Sequence, residues 1–325
     1  MCPKRSRIVK SYTLPLLLTI MGGMLLTFLP ACDENLPEVR KKTVKVDFQN
    51  LLDEGNQVPP EAGRPVMRVA IGTMISPKYI KKYYWDLFRL IGDRMDSDVR
   101  FIQKETYAEV NELLKQRKVD LAFVCAGPYV KGKADFGMEI IAVPVCQGER
   151  DYHGYIIVNN NSGIQTLEQL RGKIFALTDP DSNTGCLIAQ YYLADYHETF
   201  ESYFKETFFT YSHDNSIKAV SEGLADGASV HSLIWEFINK VDPALTSHTR
   251  IIKKSSPYGM PPIVVHPALE EEKKEKLRTL FFTLHQDPEG SQILNAMLID
   301  RFEPGNDADY NSVREMQEFV ASHKG

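Results

Sequence analysis

From Val66 onward, short apolar runs alternate with longer stretches that place apolar residues at helical spacing. This alternation narrows the possible folds more than any other feature of the chain. "VMRVAIGT" (66–73), "VRFIQK", "VDLAFVCAG", "KIFALT", "TFFTYS" and "GASV" read as strands. Residues 78–95, 106–117, 185–196, 214–223, 232–240, 268–284, 286–298 and 310–323 read as helices. Strand–helix–strand order predicts mainly parallel sheets with right-handed crossovers. Two segments, "YHGYIIVNN" (152–160) and "IIKKSSPYGMPPIVV" (251–265), read as crossings between two halves. The expectation is an α/β fold with two lobes. Residues 66–152 plus 257–325 form one and residues 153–256 the other, with a two-strand hinge near 153–158 and 252–258. Ligands of open α/β sheets sit beyond the carboxyl ends of the strands, so strand-to-helix loops would line the cleft.

The chain before Val66 reads differently. Lys4, Arg5, Arg7 and Lys10 precede an apolar run over residues 13–31, and Cys32 follows. A basic start, an apolar core and a small residue before the cut describe a secretory signal. "LPAC" resembles a bacterial lipobox, which would make Cys32 the lipidated first residue, although Pro30 departs from the usual pattern. The run is also long enough for an uncleaved anchor. Either way, residues 33–325 lie outside the cytoplasm. Residues 32–65, with Pro59, Pro60 and Pro65, read as a tether.

Removing residues 1–31 takes four basic and no acidic residues away, so the net charge moves from −5 to −9. That balance argues against nucleic acid. It leaves room for a small anion held by neutral donors. Cys125, Cys146 and Cys186 remain, and any one disulfide among them would leave an odd thiol. No Cys or His spacing suggests a metal site.

The loop that carries chemistry is "LTDPDSNTGCLIAQYYL" (177–193). A strand runs in and a helix runs out. Between them stand Ser182, Asn183 and Thr184, all able to donate from side chains. They are also preferred helix caps, and a helix start exposes N–H groups and a positive dipole end. There is no Walker sequence, GxSxG, HExxH or paired-carboxylate signature. A binding protein without cofactor is expected, not an enzyme.

Four segments, in order, resemble the phosphate/phosphite/phosphonate-binding proteins of ABC importers. They are "KETYAEVNELLKQRKVDLAFVCAGPYV", "DPDSNTGCLIAQYYL", "TYSHDNSIKAVSEGLADGASV" and "KKSSPYGMPPIVV". The resemblance spans roughly residues 66–285 and implies the type II periplasmic-binding fold, two lobes closing over an oxyanion. By position it implies ligand contacts from Tyr107, from Ser182, Asn183 and Thr184, and from His213. Asn183 stands where a hydroxyl residue is common. Pro261 and Leu233 fall where aminophosphonate binders carry acidic residues, and His231 sits close by. This favours phosphate, phosphite or a simple phosphonate. The partner would be an ABC permease or a sensor kinase, with the protein a monomer. Tyr129 and Ser76 are further candidates, each with a plainer role, in packing and in helix capping respectively.

Micromolar affinity is about −8 kcal/mol. Hydrogen bonds to a charged group contribute roughly 1.5–3 kcal/mol each, and a helix terminus about 0.3–2 kcal/mol. Four to six such bonds, less the cost of association, reach that range without an arginine. A protonated His213 would add to it, so affinity is expected to fall as pH rises through the histidine range.

Overall fold

The structure, a computed structural model, describes residues 64–72 and 74–323. The signal segment, the lipidation site at Cys32 and all but the end of the tether lie outside the described residues. Among the described residues no helix is long and apolar enough to cross a membrane.

The strands are β1 (Val66–Ile71), β2 (Asp98–Ile102), β3 (Leu121–Phe123), β4 (Glu139–Val145), β5 (Asp151–Tyr152), β6 (Gly154–Asn159), β7 (Ile174–Leu177), β8 (Glu206–Phe209), β9 (Gly227–His231), β10 (Thr249–Lys254), β11 (Tyr258–Gly259), β12 (Ile263–Val265) and β13 (Arg301–Glu303). One sheet has the order β13-β4-β12-β3-β1-β2 and another β10-β6-β9-β7-β8. Between them β5 and β11 form a two-stranded antiparallel ladder, Tyr258 opposite Tyr152 and Gly259 opposite Asp151. That ladder is the two-strand hinge of an α/β, two-lobed fold, and it lies just outside the expected 153–158 and 252–258, most of which fall in β6 and β10, paired with each other in the second sheet.

The sheets are mixed, where the sequence predicts mainly parallel ones. β1 runs parallel to β2 and β3, and β7 runs parallel to β8 and β9. The crossing segments then enter backwards. β6 and β12 both pair antiparallel with their neighbours. A chain that leaves one sheet and later returns reaches it from the other end, and the local pattern of a strand carries no sign of its direction.

"VDLAFVCAG" yields a strand of only three residues. Cys125 is already the N-cap of a helix, Ala126–Phe136, which the local sequence pattern does not signal. Gly127, Pro128 and Gly132 disguise it. Pro128 falls in the first turn, where a missing N–H costs nothing. The expected helix over 78–95 passes through a π-helical stretch, Ile80–Tyr84, before Trp85–Arg94. Tyr84 and Phe88 are buried in the first half. Tyr83 turns to the second half instead, edge-on to Phe237 with centroids 4.9 Å apart.

The halves meet through specific polar contacts. The Tyr107 N–H donates to Asp179 Oδ2 at 3.1 Å, and the Ser76 N–H to Asp214 Oδ1 at 2.8 Å. The His213 N–H donates to the Met74 carbonyl at 3.2 Å. Lys131 pairs with Asp181 at 2.8 Å. Gly127 lies so close to the opposite half that a Cβ there would stand 2.2 Å from the Asp181 carbonyl oxygen. Backbone cannot yield that distance cheaply, so Gly127→Val is expected to hold the halves apart. Small-angle scattering should then give a larger radius of gyration than the parent's, with the melting temperature little changed. An unaltered radius would show that closure does not pass through this contact.

Candidate ligand-binding site

Ser182 begins the donor loop as an N-cap, its side chain accepting from the Gly185 N–H at 3.0 Å. The chain then makes one π-helical turn, Asn183–Leu187, before the helix Ile188–Ala194. The Leu187 N–H reaches the Ser182 carbonyl at 3.0 Å. Such a turn widens the helix and is common at functional sites. Here it carries Asn183, Thr184, Gly185, Cys186 and Leu187 as buried residues directly after β7. Gly185 is required: a Cβ would fall 2.4 Å from Thr178 Cβ.

Ser212 caps the next helix, His213–Ser221, by accepting from the Asn215 N–H, which places His213 in its first turn. The His213 ring is fully buried. Its Nδ1 accepts the His231 N–H at 3.1 Å and lies 3.0 Å from Thr178 Oγ1. An Nδ1 that accepts fixes the proton on Nε2. His231 repeats the device. As N-cap of Ser232–Val241, its Nδ1 accepts from the Leu233 N–H at 3.2 Å, and its own proton therefore sits on Nε2. Its ring stacks on Tyr152 at 4.0 Å and stands edge-on to His213 at 5.5 Å.

Burial pushes His213 down to about 3 and His231 well below its ordinary value, the latter also through His213. Both imidazoles are neutral Nε2–H donors near pH 7. This corrects the expectation of a protonated His213, and with it the expected loss of affinity as pH rises through the histidine range. The missing ingredient is a carboxylate beside either ring.

Thr184 Oγ1, His213 Nε2 and His231 Nε2 are buried and find no hydrogen-bond partner among the described residues. Asn183 joins Tyr152 Oη to its amide at 3.0 Å and leaves its other amide end unpartnered. Oxygen and nitrogen of that amide are assigned by the network. Either assignment leaves one polar end unused. Tyr107 opens the helix Tyr107–Lys115, set by a capping box between Thr106 and Glu109, and is fully buried. Its ring lies over Gly72, where a Cβ would meet Tyr107 Cε1 at 2.3 Å.

Two candidates are placed otherwise. Tyr129 donates its hydroxyl to Asp307 Oδ1 at 2.7 Å and packs on Tyr310 at 4.5 Å, inside the first half. Ser76 gives its backbone N–H and side chain to Asp214 and makes no side-chain cap. Its role is to join the halves. Cys125, Cys146 and Cys186 are buried, and no disulfide joins any two of them. Sequence reasoning missed Thr178, which touches His213, and Asp179 and Asp214. These act across the fold, and no local spacing marks them.

The family description "ABC transporter, phosphonate, periplasmic substrate-binding protein" matches residues 69–310. The chain belongs to this family. The Escherichia coli K12 phosphonates-binding periplasmic protein is 26% identical over 229 residues, 67% of this chain and 68% of that protein. Among solved structures, a binding-protein component of a Pseudomonas aeruginosa ABC phosphonate transporter superposes with TM-score 0.76 at 24% identity, covering 80% of this chain and 88% of that one. A Prochlorococcus marinus protein in complex with methylphosphonate superposes with TM-score 0.72 at 19% identity, covering 79% and 98%. These likenesses show the fold, that of the type II periplasmic binding proteins.

An unpartnered hydroxyl weakens the ligand-free protein. Thr184→Val is therefore expected to keep or raise the melting temperature while lowering ligand affinity roughly tenfold or more, the value of a bond to a charged group. Calorimetry and thermal melts on the two proteins check this. The buried histidines predict an acid-side loss of stability. Their folded pKa values lie below the unfolded value of about 6.5, so the unfolded chain takes up protons first. Stability from this source is complete above that value and falls as pH drops towards 3. Melting temperature should fall less steeply from pH 6.5 to 4 in His213→Gln than in the parent.

Proposed function

We propose that this chain captures a phosphorus oxyanion, such as phosphate, phosphite or a simple phosphonate, between its two halves. It then delivers the ligand to an ABC permease, held outside the cytoplasm by a lipid on Cys32. The observation that carries the reading is the set of buried, neutral polar atoms without partners among the described residues, Thr184 Oγ1, His213 Nε2 and His231 Nε2. Thr184 and His213 follow the carboxyl ends of β7 and β8, and His231 ends β9; ligands of α/β sheets lie beyond such strand ends. Membership of the phosphonate-binding family and the name of the E. coli relative support the ligand class.

Ser182 to Thr184 and His213 come from the second half and Tyr107 from the first. A ligand touching both halves favours the closed form by its differential affinity. Domain boundaries near 153 and 256 go with this hinge reading.

Calorimetry with phosphate, phosphite, methylphosphonate, sulfate and 2-aminoethylphosphonate tests the reading. At least one phosphorus oxyanion is expected to bind with micromolar or lower Kd. Binding of sulfate alone, or of none, overturns it. Mass spectrometry of protein extracted from membranes should show a lipidated N-terminal Cys32.

A further inference from the structure

Tyr152 stands in β5 of the hinge ladder and is buried. Its ring stacks on His231, with centroids 4.0 Å and planes 13° apart. Its hydroxyl meets the Asn183 amide nitrogen at 3.0 Å and Cys125 Sγ at 3.4 Å. A phenol is a stronger donor than a thiol. Cys125 Sγ also faces the N–H groups of Asn183, Gly127 and Ala126, so the sulphur is the acceptor. The phenol proton goes to Sγ, and Tyr152 Oη is left to accept from Asn183 Nδ2. The free end of the Asn183 side chain is then its amide oxygen. That oxygen, Oδ1, is buried and has no partner among the described residues. Asn183 precedes Thr184, and the ring that holds its amide lies against His231, so Oδ1 belongs with Thr184 Oγ1, His213 Nε2 and His231 Nε2. Those three can donate. Oδ1 can only accept.

We infer that Tyr152 is a positioning residue: it fixes the Asn183 amide oxygen towards the ligand, so that the site takes an oxyanion still carrying one proton and refuses sulfate. The inference rests on the oxyanion reading above and adds the protonation state of the ligand. A buried acceptor set against a fully ionised oxygen is repelled and left unsatisfied. Set against a P–OH group, it accepts a hydrogen bond. Phosphate, phosphite and phosphonate monoanions each carry such a hydroxyl, and sulfate at neutral pH carries none. Affinity should therefore fall as pH rises through the second ionisation of the ligand. The groups around the loop do not supply that fall. His213 and His231 are neutral throughout this range, and burial keeps the protons on Tyr152, Cys125 and Tyr258. Asp179 is pushed up to about 6, Asp181 pairs with Lys131, and Asp214, also raised, bonds to Ser76. Tyr152→Phe leaves all of these in place.

Calorimetry on the full chain with phosphate, methylphosphonate and sulfate, at a series of pH values from neutral upward, tests the inference. Parent affinity for phosphate and methylphosphonate is expected to fall with pH, approaching tenfold per unit once the dianion dominates. At neutral pH it should exceed that for sulfate roughly tenfold or more. Tyr152→Phe keeps the ring on His231 but frees the amide to turn its N–H groups outward. It should flatten the pH dependence and narrow the phosphate-to-sulfate ratio roughly tenfold. Asn183→Ser, whose hydroxyl can donate or accept, should do the same, and Tyr152→Phe added to it should change neither quantity further. A parent that binds sulfate as tightly as phosphate, or whose affinity does not fall with pH, overturns the inference while the oxyanion reading stands. So does a folded Tyr152→Phe protein that keeps the parent's ratio and pH dependence. If no phosphorus oxyanion binds, both fall. Melting curves on the ligand-free variants separate these outcomes from misfolding, and Asn183→Ser decides alone if Tyr152→Phe does not fold.

Discussion

Buried donors without protein partners are expensive, and among the described residues Thr184 Oγ1, His213 Nε2 and His231 Nε2 are such donors near the meeting of the halves. Each such group costs about 1–3 kcal/mol when left dry and unbonded. They are oriented by groups that are themselves satisfied. The Ser182 side chain fixes the turn that carries Thr184, and Ser229 Oγ donates to the Thr184 carbonyl at 2.5 Å. Backbone N–H groups occupy Nδ1 of both histidines and so direct both Nε2 protons elsewhere. An oxyanion, with lone pairs on every oxygen, is what such a set of donors lacks.

Closure is supported by carboxylates that belong to the second half and cap helices of the first. Asp179 meets the start of the Tyr107–Lys115 helix, and Asp214 meets the residue before Pro77. A negative group at a helix N-terminus is favourable, but burial opposes it. Asp179 is pushed up to about 6 by burial, against the pull of the Asp181 and Tyr107 N–H groups. The result is a contact that holds without locking, which suits a molecule that must open again. It also turns two acidic groups away from the donors: burial alone lowers His213.

Several features were plain in the sequence. The strand–helix rhythm gives both sheets, and two crossing segments give the β5–β11 ladder. Ser182 is legible as one of three candidate caps because capping is local chemistry, and the turn it starts carries Thr184. The Ala126–Phe136 helix was hidden because its first turn contains Gly127 and Pro128, residues that locally argue against a helix. Gly127 is explained only by Asp181, 54 positions further along the chain. The charge state of His213 was unreadable for the same reason: it depends on burial and on what faces Nδ1, and both are tertiary facts. Asp179 and Asp214 look like turn and helix-start residues. Their targets lie in the other half.

Neutral donors set the terms on which a ligand can be kept and released. A buried ionic clamp would gain more Coulombic energy but would leave an uncompensated charge once the ligand departed, at a cost of several kcal/mol. Hydroxyl and imidazole groups lose less when emptied, and they recover solvent as the halves part. His231 shows how such a donor is held in place. The same ring caps a helix, donates into the site and walls an adjoining cavity with Leu233 and Phe237. Its position is thus fixed by the protein backbone, and the one ring adjoins both the unpartnered donors and the apolar walls.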